Sequence, residues 1–186
     1  MGRATLLLLS VAVAGSVRLQ PIDGARAAVD PLTAPPGAKA IVYLFTSTDC
    51  PISNRYAPEV RRLAQQYGPR GIVFRLVYPG RADSDAAIRT HLAEYLYRGV
   101  AEPFRDASLA FANLAGARIT PEAVVIAQGR VVYRGRIDDR YADVGVDRTA
   151  ATTHDLADAL DAVVAGRAVP HPVTHAVGCY IADLAR

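Results

Sequence analysis

Two cysteines, Cys50 and Cys179, are the residues of this 186-residue chain best suited to chemistry. Cys50 is followed by Pro51 and then by an apolar pattern of helical period. That places it in the first turn of a helix, where unpaired backbone N–H groups and the positive end of the dipole favour a thiolate. Pro51 fits there, because a missing N–H is not felt in the first turn. A thiolate attacks disulfides and peroxides and is a soft ligand for metals. The hydroxyls of Thr46, Ser47 and Thr48 precede it and can donate to the sulfur or to a substrate oxygen, although any strand-to-helix loop is rich in such residues. From the residues alone, Cys50 reacts, packs, or joins a structural disulfide.

Cys179 follows a segment rich in Pro, His and Gly, from Pro170 to Gly178. Three readings of it stand side by side. It attacks an oxidised Cys50 as a resolving thiol; it forms a permanent bridge with Cys50, worth about 4 to 5 kcal/mol for so long a loop on the entropic model; or it joins His175, four residues before it, with Cys50 and His171 in a copper or zinc site. A third element is Ile119-Thr120-Pro121-Glu122, at the start of a hairpin. A cis peptide there would present the Thr120 backbone to whatever approaches the thiol. Glu122 either relays a proton or serves as a cap or surface residue.

These residues need elements to hold them. Ala40 to Phe45 is a continuous apolar run suited to a strand buried on both faces. The pattern Ile52, Tyr56, Val60, Leu63, Ala64, Tyr67 predicts one helix after Cys50, ended by Gly68-Pro69. Gly71 to Tyr78 is a second strand. Asp83-Ser84-Asp85 caps a helix with Ala87, Ile88, Leu92, Tyr95 and Leu96 inward. A short segment through Pro103 and Asp106 leads to a helix from Ser108 to Ala115, closed by Gly116. Ala123–Ile126 and Arg130–Tyr133 form a hairpin through Gln128-Gly129. Asp155 to Val164 is the last amphipathic helix. The polar run from Arg134 to Arg140 reads as an exposed, self-neutralising loop, or as a partner-recognition loop beside Cys50. Helical crossovers combined with a hairpin predict an α/β fold with a mixed sheet.

Met1-Gly2-Arg3, an apolar run from Ala4 to Val17 and Ala25-Arg26-Ala27 have the order of a secretory signal, giving residues 1–27 as signal peptide and 28–38 as a flexible lead-in. Fourteen apolar residues are short for the roughly 20 that a spanning helix needs. Cleavage takes Arg3, Arg18 and Arg26 but only Asp23, so most of the formal +3 goes with the leader. With 51% apolar and 21% charged residues, composition excludes a disordered tail, a coiled coil, a collagen-like chain and a multi-span membrane protein, and one lysine beside twenty scattered arginines, with no basic block, gives no support to nucleic-acid binding. Export makes oxidation the default for thiols.

A strand running into a Cys-Pro helix, then Thr-Pro before a hairpin and a terminal helix, resembles the thioredoxin-like superfamily. It resembles in particular exported redoxin-domain proteins related to the alkyl hydroperoxide reductase/thiol-specific antioxidant group. The motifs that carry the likeness are Cys50-Pro51-Ile52-Ser53-Asn54-Arg55-Tyr56, Thr120-Pro121-Glu122, Tyr133 to Asp139, and Gly178-Cys179. The likeness implies a three-layer thioredoxin-like domain over residues 39–186, with a central mixed β-sheet flanked by helices. It implies a thiol-based oxidoreductase, peroxidase-like or exchanging disulfides, with Cys50 as nucleophile, Cys179 as resolving thiol, and Thr120 and Pro121 in the catalytic loop. Ser47, Thr48, Arg118 and Glu122 would position substrate. No cofactor is implied; the partners are an external thiol reductant and a peroxide or protein disulfide, in a periplasmic or secreted location without stable membrane insertion.

The chain departs from these families in two ways. Ser53 stands where thioredoxins have the second cysteine of C-x-x-C, so Cys50 needs another thiol. The peroxiredoxin pattern P-x-x-x-[ST]-x-x-C is met by Ser47 and Cys50, but Tyr43 holds the proline position, and Arg118 or Arg55 would have to supply the charge that polarises a peroxide. An alternative likeness is to exported thioredoxin-like proteins that handle copper for oxidase assembly, with Cys50, His175 and Cys179 as ligands, although those typically have paired cysteines in the active loop.

Overall fold

The computed structural model describes residues 17–24, 26–182 and 184. Most of the expected signal segment lies outside the described residues. The strands are β1 (Gln20–Pro21), β2 (Ala40–Phe45), β3 (Ile72–Pro79), β4 (Glu102–Asp106), β5 (Ile119–Thr120), β6 (Glu122–Ala127), β7 (Arg130–Gly135), β8 (Tyr141–Asp143), β9 (Val146–Asp147) and β10 (Cys179–Tyr180). The α-helices are α1 (Pro51–Arg55), α2 (Ala57–Tyr67), α3 (Asp85–Glu94), α4 (Ala110–Ala115) and α5 (Asp155–Val164).

Six strands form one sheet in the order β1-β4-β3-β2-β6-β7. β2, β3 and β4 run parallel, as helical crossovers require, while β6, β7 and β1 are antiparallel to their neighbours. The mixed sheet expected from the sequence is therefore present. β2 is central and buried along its whole length, because both faces are covered. On one face Val42, Leu44, Phe74, Leu76 and Val125 meet Val60 and Leu63 of α2, Ile88 of α3, and Leu156 and Leu160 of α5. On the other face Ile41, Tyr43, Phe45, Val124 and Ile126 meet Phe111 and Ala112 of α4 together with Leu19. Each fully buried side chain of this size is worth roughly 1.5–3 kcal/mol.

The β6–β7 turn holds Gln128 at φ 53° and Gly129 at φ 73°, the left-handed pair that a two-residue hairpin demands. Four features differ from the sequence reading. The helix after Cys50 is broken at Tyr56 into α1 and α2, because Pro58 cannot donate to the preceding turn. Glu102–Asp106 is a strand, although its Pro and charges conceal the alternation: Phe104 and Asp106 are buried and the residues between them are half-covered. α3 stops at Glu94, so Leu96 turns out to solvent and His91 takes the inward place. The run from Arg134 to Arg140 is not an exposed loop. Ile137, Asp138 and Asp139 are buried, with Asp138 accepting from the Tyr56 hydroxyl, Asp139 from the Thr152 and Thr153 backbone, and Arg136 paired to Asp155 at 2.8 Å.

The segment before β2 packs against the sheet. Leu19 is fully buried and exchanges backbone hydrogen bonds of 2.9 Å with Val29, β1 extends the sheet at β4, and the Pro31 carbonyl accepts from the Tyr43 hydroxyl. Among the described residues no helix is long and apolar enough to cross a membrane.

Candidate active site

Cys50 stands at the N-cap of α1, just past the carboxyl end of β2, and Pro51 takes the first helical position as expected. The loop between them is pinned on both sides. The Thr48 hydroxyl and N–H donate to Asp83, while the Asn54 amide donates to the Thr48 carbonyl at 3.1 Å. Asn54 in turn accepts from His91 Nε2 at 2.8 Å, which leaves His91 Nδ1 to accept from the Tyr78 hydroxyl at 2.8 Å. This fixes the neutral tautomer, and burial holds the His91 pKa below its ordinary value. Ser47 is half-buried and donates to Asp49, so the loop hydroxyls serve the loop's own geometry first.

The thiol faces Thr120. The Thr120–Pro121 peptide is cis, and the Cys50 Sγ–H donates to the Thr120 carbonyl at 3.0 Å. β10 pairs antiparallel with β5, placing Cys179 opposite Thr120 and Tyr180 opposite Ile119. The Thr120 hydroxyl donates to the Cys179 carbonyl at 3.3 Å, and Ile181 N–H donates to the Arg118 carbonyl at 2.9 Å. Cys50 is thus 1% exposed, while Cys179 above it is exposed; both are free thiols.

Glu122 is buried and receives the N–H groups of Arg118 (2.7 Å) and Ile119 (3.1 Å), with Arg134 at 3.8 Å. It braces the inner side of the Thr-Pro loop, leaving the outer edge of β5 to β10. Arg118 itself is exposed and engages Asn113.

The tail reaches this position under two steric constraints. The Arg134 N–H donates to the Pro172 carbonyl and the Arg134 carbonyl accepts from the Thr174 N–H, one on each side of Val173, and a Cβ on Gly135 would lie 2.8 Å from the Thr174 nitrogen. A Cβ on Gly178 would overlap the Thr120 carbonyl oxygen and lie 2.7 Å from its carbon. Both glycines are there because the chains touch.

The two sulfurs shift each other's ionisation in opposite directions. Burial works against a Cys50 thiolate, but hydrogen bonds from Cys179, from the Ser53 hydroxyl and N–H, and from Thr120 outweigh it and draw the Cys50 pKa down. Cys179 is pushed up to about 12 by its own desolvation, by donating to Cys50 and by the charges of Cys50 and Asp49. Helix α1 has only five residues, so these donors, more than a macrodipole, hold the charge. Ser53 was legible only as a missing cysteine. Its buried hydroxyl has no other partner, and a deprotonated Cys50 is the acceptor it lacks. Asp49 was likewise missed. Arg55 is exposed. His171 and His175 are exposed, and no three His, Cys, Asp or Glu side chains gather as a metal site among the described residues, Cys50, His175 and Cys179 included.

No protein-family model and no curated protein matches the chain. Among solved structures it is similar to a hypothetical protein from Sinorhizobium meliloti (24% identity, 91% of each chain, TM-score 0.74). It is also similar to an uncharacterized conserved protein from Geobacillus kaustophilus (26% identity, 88% of this chain and 86% of that one, TM-score 0.72). A third match is a secreted Mycobacterium tuberculosis disulfide oxidoreductase homologous to Escherichia coli DsbE (21% identity, 81% of this chain and 96% of that one, TM-score 0.53). With its mixed sheet between helical layers, the chain has the thioredoxin-like fold.

Proposed function

We propose that this thioredoxin-like protein is an exported thiol–disulfide oxidoreductase with Cys50 as nucleophile and Cys179 as resolving thiol, working without a cofactor. The observation that carries the reading is the β10–β5 pairing, which sets a second free thiol opposite Thr120, the residue whose carbonyl accepts from Cys50, and Cys50 has a lowered pKa.

The chemistry follows from that pair. The Cys50 thiolate attacks one sulfur of a substrate disulfide, forming a mixed disulfide and releasing the other sulfur as a thiolate, which takes up a proton. Cys179, deprotonated in the step, attacks the Cys50 sulfur, releases the second substrate thiolate and leaves a Cys50–Cys179 disulfide. The substrate gains two electrons and two protons; the protein loses them. An external dithiol restores the protein by the reverse exchange. Ser53 and Thr120 hold the attacking charge, and Glu122 keeps the Thr-Pro loop in place. A peroxide would need a cation to polarise its O–O bond, and the two arginines offered for it are exposed, with Arg118 engaged by Asn113.

The test is disulfide turnover with a dithiol donor, combined with differential alkylation and intact mass before and after one equivalent of a disulfide oxidant. The expected result is turnover, two reactive thiols before oxidation and none after, no turnover in Cys50→Ser, and a trapped mixed disulfide in Cys179→Ser. Failure of the wild type to reduce any disulfide overturns the reading. Turnover of peroxide alone replaces it with a peroxidase. Stoichiometric Cu(I) lost in both variants replaces it with a metal-binding module.

A further inference from the structure

Resting on the reading that Cys50 exchanges disulfides, we propose that its substrate is an extended peptide segment in which glycine immediately precedes the reacting cysteine, and that Gly178-Cys179 occupies the position this segment takes.

The tail shows what the position recognises. It is held on β5 by main-chain pairing, by the Thr120 hydroxyl on the Cys179 carbonyl, and by the Ile181 N–H on the Arg118 carbonyl. These contacts are available to any extended peptide, which would add to the edge as a strand. Side chains add little along it: Cys179 is exposed, Tyr180 is 85% exposed, and only Ile181 is buried, against the Leu19 and Phe111 side of the core. Selectivity therefore lies in what the position forbids. The Thr120 carbonyl oxygen, which accepts from Cys50, is also the atom that a Cβ one residue before the incoming cysteine would overlap. An alanine there must push the strand away from Thr120, and with it the sulfur from Cys50. An aliphatic residue two places after the cysteine has a counterpart in Ile181. The substrate must also displace the tail, because one edge of β5 cannot pair twice.

The experiment uses the reduced full-length protein and two acetylated, amidated tetrapeptides, Gly-Cys-Tyr-Ile and Ala-Cys-Tyr-Ile, each disulfide-linked through cysteine to thionitrobenzoate. Attack on the peptide sulfur joins it to Cys50 and releases coloured thionitrobenzoate. The glycine peptide should react faster by about tenfold or more, the effect of overpacking by one methyl, and the ratio should fall to about one in urea-unfolded protein. In Gly178→Ala, which dislodges the chain's own tail, the glycine peptide should accumulate as a mixed disulfide while the alanine peptide remains slow. Equal rates for the two peptides in folded protein overturn the inference. The symmetrical thionitrobenzoate disulfide separates this failure from a failure of the parent reading: if Cys50 does not react even with that small disulfide, it is not an exchanging thiol.

Discussion

The sulfur of Cys50 lies 3.0 Å from the carbonyl oxygen of Thr120, the residue whose outer edge is held by the strand carrying Cys179. Thr120 acts on the thiol in two opposed ways: its carbonyl accepts from the protonated sulfur, and its side chain stabilises the deprotonated one. Together with Ser53 and Cys179, the Thr120 side chain draws the Cys50 pKa below its ordinary value.

Ser53→Ala removes a buried donor that has no other partner. Cys50 alkylation by iodoacetamide at neutral pH should slow by about tenfold, with its pH midpoint moved upward, since a hydrogen bond to a charged group is worth about 1.5–3 kcal/mol. Ser53→Thr, which keeps the hydroxyl, should recover part of the rate. A midpoint unchanged in the alanine variant would remove Ser53 from the site.

His91 gives the fold an acid limit. Its folded pKa is depressed by burial, so the unfolded chain binds the proton more readily. The His91 contribution is complete above the unfolded value of about 6.5 and is lost as pH falls below it. Thermal melts should show a stability loss between pH 7 and 5 that shrinks in His91→Gln. Parallel pH dependence in the two proteins would show that His91 is not the group responsible.

Gly135→Ala drives a methyl into Thr174. The bond from the Thr174 N–H to the Arg134 carbonyl then gives way, and formation of the Cys50–Cys179 disulfide after oxidation should slow by about tenfold or more, from about 1–3 kcal/mol of overpacking. Retained far-UV circular dichroism with the slowed step would assign the effect to the tail. Unchanged disulfide formation would show that the tail does not depend on this passage.

The amino-terminal boundary is also testable. Leu19 and Ile22 are buried and β1 pairs with β4, so a chain beginning at residue 28 should be less stable than one beginning at residue 17 by about 3 kcal/mol or more. On the proposal that the chain is exported, intact mass of the mature protein should accordingly place cleavage before Leu19, ahead of the Ala27 boundary read from the signal pattern. Equal denaturant midpoints for the two chains would restore that boundary.

Much of the fold was legible in local pattern. Ala40–Phe45, the Gln128-Gly129 turn and the Asp155 helix each have period, turn chemistry and caps in agreement. Glu102–Asp106 was not legible, because Pro103 and two charges mask a strand that is defined by its neighbours on both sides. Cys50-Pro51 and Thr120-Pro121 stood out by residue type. Ser53, Asp49 and His91 did not, since their roles depend on which groups the folded chain places opposite them. Asp138 and Asp139 looked like a solvated run for the same reason: their partners Tyr56 and Thr152 are distant in sequence.

The anchor at Thr174 leaves only a few residues of chain between the β7 contact and Cys179. A fully extended chain spans at most about 3.6 Å per residue, so a displaced Cys179 stays within roughly 18 Å of Thr174. The second thiol is therefore a tethered reagent at fixed local concentration. On the proposed mechanism its closure onto Cys50 is first order, unaffected by dilution of the protein, and a competing free thiol must reach that local concentration before it can intercept the mixed disulfide.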